Sequence, residues 1–118
     1  MSLLARIEEE AGPEGVAVAA VDGEIDASNT DELASRLRAM LSNQHTALIV
    51  DLTETTYLDS AAINLFFELG ADLLQRQQRL HLVVPAGSPI ARALAITGLD
   101  AAVAVHPART EAVARTAS

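Results

Sequence analysis

Half of the 118 residues are apolar but only one Tyr and two Phe are aromatic, which suits a single core built from Ala, Leu, Val and Ile. The absence of cysteine excludes disulfides, thiolate metal centres and cysteine nucleophiles. The net charge of −8 makes phosphate backbones and anionic lipid poor partners, since an acidic surface repels both. The charge is uneven: residues 1–59 carry twelve Asp or Glu against three Arg, and residues 60–118 carry four against five. A protein partner with a basic face suits that first half. The longest apolar stretches are broken by Arg92, Asp100 and Pro107, and Met1 to Glu10 runs into three glutamates. Neither a membrane-spanning helix nor a signal peptide is expected, no direct membrane insertion follows, and the implied location is cytoplasmic.

In chain order, Gly15 to Val21 alternates small and β-branched residues and reads as a strand, with Asp22-Gly23 as the turn or hairpin signal after it. Asn29 is placed to cap a helix, with Glu32 three residues on to reach back as in a capping box. Leu33, Leu37, Met40 and Leu41 then recur at helical spacing. Thr46 to Leu52 is a continuous apolar run around Asp51, the pattern of a strand buried on both faces. Thr53 to Leu58 reads as a polar loop. From Ser60 to about Gln78 a long helix carries a stripe of Ile63, Phe66, Phe67, Leu73 and Leu74, with Gly70 on the same side for close approach to a sheet.

Leu80 to Val84 is a second buried strand, stopped by Pro85. Ser88-Pro89 opens a third helix as cap and first helical residue, and Ile90, Ala93 and Leu94 face inward from it. Gly98 closes it in the left-handed cap position, with Leu99 as the hydrophobic contact that follows. Ala102 to Val105 is a last strand, and residues 107–118 form a terminal helix or frayed tail. The whole of 1–118 reads as one α/β domain with a core of about 15–106 and a mainly parallel sheet.

Reactive groups of an open α/β sheet gather where strands end and helices begin. The turn from Thr53 to Ser60 is such a place, with Ser60 at or next to the N-cap of the long helix. Free backbone amides there can hold an anion, so a phosphate on Ser60 is tolerated, helped by roughly 0.3–1 kcal/mol of helix-dipole attraction. The same residues also suit a plain structural cap, with Asp59 as helper. Other chemistry finds little support. The six glycines are scattered and all eight basic residues are arginine, so no phosphate-cradling Gly-Lys-Ser/Thr loop exists. The absent lysine also disfavours a receiver domain with a lysine beside its acidic pocket. His45, His81 and His106 lack metal-ligand spacing and read as solvated or structural. Asp22, Glu24 and Asp26 alternate like a solvated strand edge rather than a cation site. Tyr57 reads as a core aromatic with its hydroxyl at the rim. No cofactor, no metal and no enzymatic activity are expected.

Gly23-Glu24-Ile25-Asp26, then Asp51-Leu52, then Tyr57-Leu58-Asp59-Ser60-Ala61-Ala62, then Thr97-Gly98-Leu99 resemble, in order and spacing, the signatures of the STAS family of the anti-sigma-factor-antagonist type. The resemblance covers residues 15–106. It implies a four- to five-stranded, mainly parallel or mixed sheet with helices largely on one side. It implies a switch in which a serine kinase that is also the anti-sigma factor phosphorylates Ser60 and a phosphatase reverses the step. The implied partner surface comprises Glu24, Asp26, Thr55, Thr56, Asp59, Ala61, Ala62 and Asn64. The family commonly has glycine at Ala62 and a small polar residue at Ala61, so the two methyls here would set how closely a partner approaches. The family also includes subunits of stress-sensing assemblies and of lipid-transport ATPases, in which Ser60 would be only a cap, and nucleotide-binding domains.

Overall fold

In the computed structural model, which describes residues 5–117, β1 (Ala5–Glu10) and β2 (Val16–Ile25) pair antiparallel from Ala5↔Gly23 to Glu10↔Val18. The Asp22-Gly23 pair is therefore no turn; both residues lie inside β2. Gly23 has φ of 105°, and the register of the strand shifts between Gly23 and Glu24. Only glycine adopts that backbone conformation freely, and such a bulge bends a strand. The bend lets β2 serve two parallel neighbours. Val16 to Ala20 pair with β3 (Ala47–Asp51), and Gly23 to Ile25 pair with β4 (Thr55–Leu58).

β4 replaces part of the expected polar loop. Its Thr-Thr-Tyr run has strand propensity, and the Thr55 hydroxyl donates to the Val21 carbonyl at 2.9 Å. β5 (Arg79–Val83) and β6 (Ala104–His106) extend the sheet in parallel, giving the order β1-β2-β3-β5-β6 with β4 beside β2. The mixed α/β sheet has the expected class, and β1 and β4 bring its strands to six among the described residues.

The helices α1 (Thr30–Ala39), α2 (Ser60–Gln75), α3 (Pro89–Thr97) and the single turn α4 (Leu99–Ala102) cover one face. There Leu33, Leu37, Phe66, Leu69, Leu94 and Leu99 pack on Ala19, Leu48, Val50 and Leu82. α2 presents Ile63, Phe66 and Leu73 as expected but also Leu65 and Leu69, while Leu74 is 48% exposed. A Cβ on Gly70 would stand 2.5 Å from Cγ1 of Val103, the residue before β6, and 3.8 Å from Leu80 of β5, so the close approach is made to Val103 rather than to a strand. α2 stops at Gln75, short of Gln78, whose buried amide turns away to donate to the carbonyls of Ser42 and His45 at 2.9 and 3.0 Å.

α3 begins as read: the Ser88 hydroxyl accepts from Ala91 N at 3.1 Å, Pro89 follows, and Gly98 ends the helix at φ 80°. Leu99 is fully buried and opens α4, which delays the last strand to Ala104. α5 (Arg109–Thr116) is a regular helix, not a frayed tail, and its Ala112 is fully buried on Val18, Ile49 and Val83 of the opposite face. The ends of the 1–118 assignment, residues 1–4 and 118, lie outside the described residues.

Candidate functional site

The β4–α2 junction is organised by Asp59, which takes the N-cap position in extended conformation. One carboxylate oxygen accepts the Ala62 amide and the other the Ala27 amide, each at 3.0 Å. The Asp59 amide donates to Ile25 O at 3.2 Å. One side chain thus closes the helix start and ties it to the β2–α1 loop. That loop is braced from below by buried Asn29, whose Oδ1 accepts the Asp26 amide at 3.0 Å and whose Nδ2 donates to Glu24 O at 2.9 Å. Asn29 occupies the cap position of α1 but makes no side-chain cap bond, so the capping-box reading with Glu32 is corrected: the amide has been drawn into the loop. Asp26 accepts both the amide and the hydroxyl of Ser28. The Gly23–Asp26 and Tyr57–Ala62 signatures therefore form one structure in space, through the β2–β4 ladder and Asp59.

Ser60 is the first residue of α2, not its cap, and its exposed hydroxyl enters no hydrogen bond among the described residues. The Ile63 amide reaches Asp59 O at 3.1 Å. The amides of Ser60 and Ala61 keep no protein acceptor among the described residues, which is the anion-accepting end of a helix. Capping and solvent display are thereby divided between neighbouring residues. Asp59→Ala is expected to cost about 0.5–2 kcal/mol of unfolding free energy for the lost cap, and Ser60→Ala to stay within about 0.5 kcal/mol, as surface substitutions do. Urea unfolding of both variants checks this order, and a costlier Ser60→Ala would return the capping role to Ser60.

Around Ser60, Glu24, Thr56 and Asn64 are exposed, and Asp26, Asp59 and Ala61 are half-buried. Thr55 and Ala62 are buried, Ala62 completely. These two cannot offer a partner their side chains, which corrects their place in the expected contact surface. The Ala62 methyl accordingly faces the core and sets no partner distance, whereas Ala61 lines a groove of about 210 Å³ between α1 and α2 with Ala34, Asn64, Leu65 and Glu68. Tyr57 is 51% exposed, because β4 pairs with no strand but β2 among the described residues, and it widens this surface rather than joining the core.

The other signatures lie elsewhere. Asp51 points to the opposite face, where Thr53 and Arg109 hold it. The Thr53 amide donates to it at 2.9 Å, and Arg109 Nε and Nη2 bind its Oδ2 at 2.9 and 2.8 Å. Arg109 also pairs with Glu10. Burial alone would raise the Asp51 carboxyl, but the bonds from Thr53 and Arg109 outweigh it and hold the group below the usual carboxylate range. Glu8, Asp22 and Glu54 join these residues around a concavity of about 340 Å³. Thr97-Gly98-Leu99 is the α3–α4 joint. The pairings of Arg109 with Asp51 and of His81 with His106 were not readable from sequence spacing, since each depends on strand order. Among the described residues no three His, Cys, Asp or Glu side chains converge on a metal position.

The model of the STAS domain matches residues 9–113. Comparison with curated proteins finds no sequence match. An anti-sigma factor antagonist from Mycobacterium paratuberculosis has a similar structure, with a TM-score of 0.81 at 22% identity over 97% of this chain and 95% of that one. SpoIIAA, a cell fate determinant of Bacillus, is similar in its phosphorylated form, with a TM-score of 0.67 at 18% identity over 94% and 99%. A sulfate transporter family protein from Wolinella succinogenes gives a TM-score of 0.71 at 18% identity over 90% and 88%. At such identities the likeness is one of fold.

Proposed function

Since the chain belongs to the STAS domain family, we propose that it works as an anti-sigma-factor-antagonist-like binding switch, not an enzyme, set by phosphorylation of Ser60. One observation carries the reading. Ser60 is displayed at the first position of α2 with its hydroxyl uncommitted, while Asp59 does the capping that would otherwise bind it. A phosphoryl acceptor must be reachable by a kinase and must be expendable to the fold, and Ser60 meets both conditions. That an antagonist of the same fold is known in a phosphorylated form supports the choice of chemistry.

The partner in this reading is a serine kinase that is itself the anti-sigma factor, and a phosphatase removes the phosphate. The unmodified chain offers Glu24, Asp26, Thr56, Tyr57, Asp59, Ser60, Ala61 and Asn64 to that partner, an acidic surface suited to a basic face. No helix of the described residues is long and apolar enough to cross a membrane, and such a switch would act in the cytoplasm on protein partners without nucleic acid.

Incubation with ATP and the cognate kinase tests the assignment. The parent is expected to take up one phosphate, Thr56→Ala likewise, and Ser60→Ala none while still binding the kinase. Phosphate that persists in Ser60→Ala would move the site to another residue.

A further inference from the structure

On the face of the sheet opposite the Ser60 surface, two histidines from neighbouring strands meet beneath the C-terminal helix. His81 of β5 and His106 of β6 are both buried. Their rings stack with centroids 5.2 Å apart and planes 22° apart, and His81 Nδ1 lies 3.0 Å from His106 Nε2. A hydrogen bond between two imidazole nitrogens requires one donor and one acceptor, so at least one ring is neutral there. A single proton can be shared along that line. A second makes both nitrogens donors, and two cations then face each other out of water.

The surroundings add to the penalty. α5 packs over β3, β5 and β6, with Ala112 on Val18, Ile49 and Val83. Its charged groups towards the pair are Arg115 and Glu111, and β5 adds Arg79; β3 lies alongside with the apolar Ala47 and Ile49, and its Asp51 on the same face is paired with Arg109 at the start of α5. Arg79 opposes protonation of His81 and Arg115 that of His106, while Glu111 favours it. A concavity of about 430 Å³ lined by His81, Arg79, Arg115 and Thr116 gives water a route to the His81 ring.

We propose that the His81–His106 pair is an acid-sensitive latch for α5: with neutral rings the helix is seated on the sheet, and protonation of the pair releases it. Release would uncover Val18, Ile49 and Val83, an apolar strip that α5 covers at neutral pH.

The electrostatics set the direction. Burial first, then His106 and Arg79, hold His81 below the ordinary histidine value of 6.5. Burial first, then Arg115, hold His106 below it against the opposing pull of Glu111. With α5 released, both rings bind protons more readily than with α5 seated. The seated form therefore has its full stability above about pH 6.5 and loses it as pH falls from there through the depressed values. The other end of α5 answers to a different window. Asp51, held below its ordinary 3.8, keeps its bond to Arg109 until the solution is considerably more acidic.

Hydrogen exchange of the intact chain, corrected for the intrinsic rate at each pH, tests the latch. Between about pH 7.5 and 5.5 the opening equilibrium of the α5 amides is expected to rise at least about tenfold, with a limit of about a hundredfold per pH unit for two protons. The amides of Phe66, Leu69 and Leu73 in α2 should change little. His81→Phe, which keeps a ring in the stack but cannot titrate, should reduce the α5 response to at most about tenfold per pH unit, the limit for the one proton left to His106. As a check independent of any variant, the imidazole resonances of the parent should titrate below 6.5, in step with the α5 amides. Flat α5 protection, α5 and α2 opening together, or rings titrating at the ordinary value with α5 unmoved would each overturn the latch.

Discussion

Ser60→Asp is expected to lower affinity for a partner that binds the unmodified chain by at least about tenfold, equivalent to about 1.4 kcal/mol, while leaving the fold as it is. The fold is spared because the new charge arrives where the helix tolerates it. Ser60 is exposed at the first position of α2, and the amides of Ser60 and Ala61 have no protein acceptor among the described residues. Asp59 cannot swing towards the newcomer, since both its oxygens are bound, to Ala62 and to Ala27. The partner has no such provision. A phosphoryl group brings about −1.5 to −2 charge into a contact already lined by Glu24, Asp26 and Asp59. An anion trapped there without a matched donor costs several kcal/mol of binding, most of it in faster dissociation. The circular-dichroism spectrum should match that of the parent and the melting temperature should be nearly the same. A changed spectrum would replace direct repulsion with an order-to-disorder mechanism.

The largest loss of stability is expected from Phe66→Ala, about 3–5 kcal/mol. Phe66 is fully buried in the middle of α2 and packs in the core between the helices and the sheet. Truncation removes the transfer free energy of the ring and leaves a void that stiff neighbours such as Val50 cannot collapse to fill. Against a typical total of about 5–15 kcal/mol for a domain, much of the reserve is gone. Because α2 carries Ser60 at its start, the variant should also lose the presentation of the switch surface, unlike Ser60→Ala. Urea unfolding is expected to show a lower midpoint with an unchanged slope. A loss below about 1 kcal/mol would show that α2 is seated by other contacts, since that is the scale of an ordinary substitution.

Elements buried on both faces were legible in the sequence. β3 and β5 are dominated by Leu, Ile and Val, with Asp51, Arg79 and His81 as their polar members, and Ser88, Pro89 and Gly98 carry their capping roles in their residue types. Of the outer strands, β1 and β4 were not legible, while β6 was read with a shifted start. β1 includes Glu8, Glu9 and Glu10 because an edge strand with one open face tolerates charge, and three glutamates do not look like a strand. β4 is four residues long and owes its pairing to the bulge at Gly23, a distant event.

Side-chain roles divided along the same line. Ser60 could be located from local signals, but only the structure shows that Asp59 takes the cap and leaves Ser60 free. Asn29 shows the ambiguity of a local signal: the residue type that caps a helix is also the type that braces a loop. Thr55 and Ala62 lie in or beside the right motif yet point inward. Asp51 with Arg109, and His81 with His106, meet across 58 and 25 positions, and no local pattern announces either.

In the proposed switch, phosphate on Ser60 ends an interaction that the unmodified chain makes. Calorimetric titration of one preparation of the kinase partner, first with unmodified chain and then with chain phosphorylated at Ser60, measures that claim directly. Saturable binding of the first is expected, with at least about tenfold weaker binding of the second, a difference of about 1.4 kcal/mol or more. Equal affinity for the two forms would contradict the proposed switch.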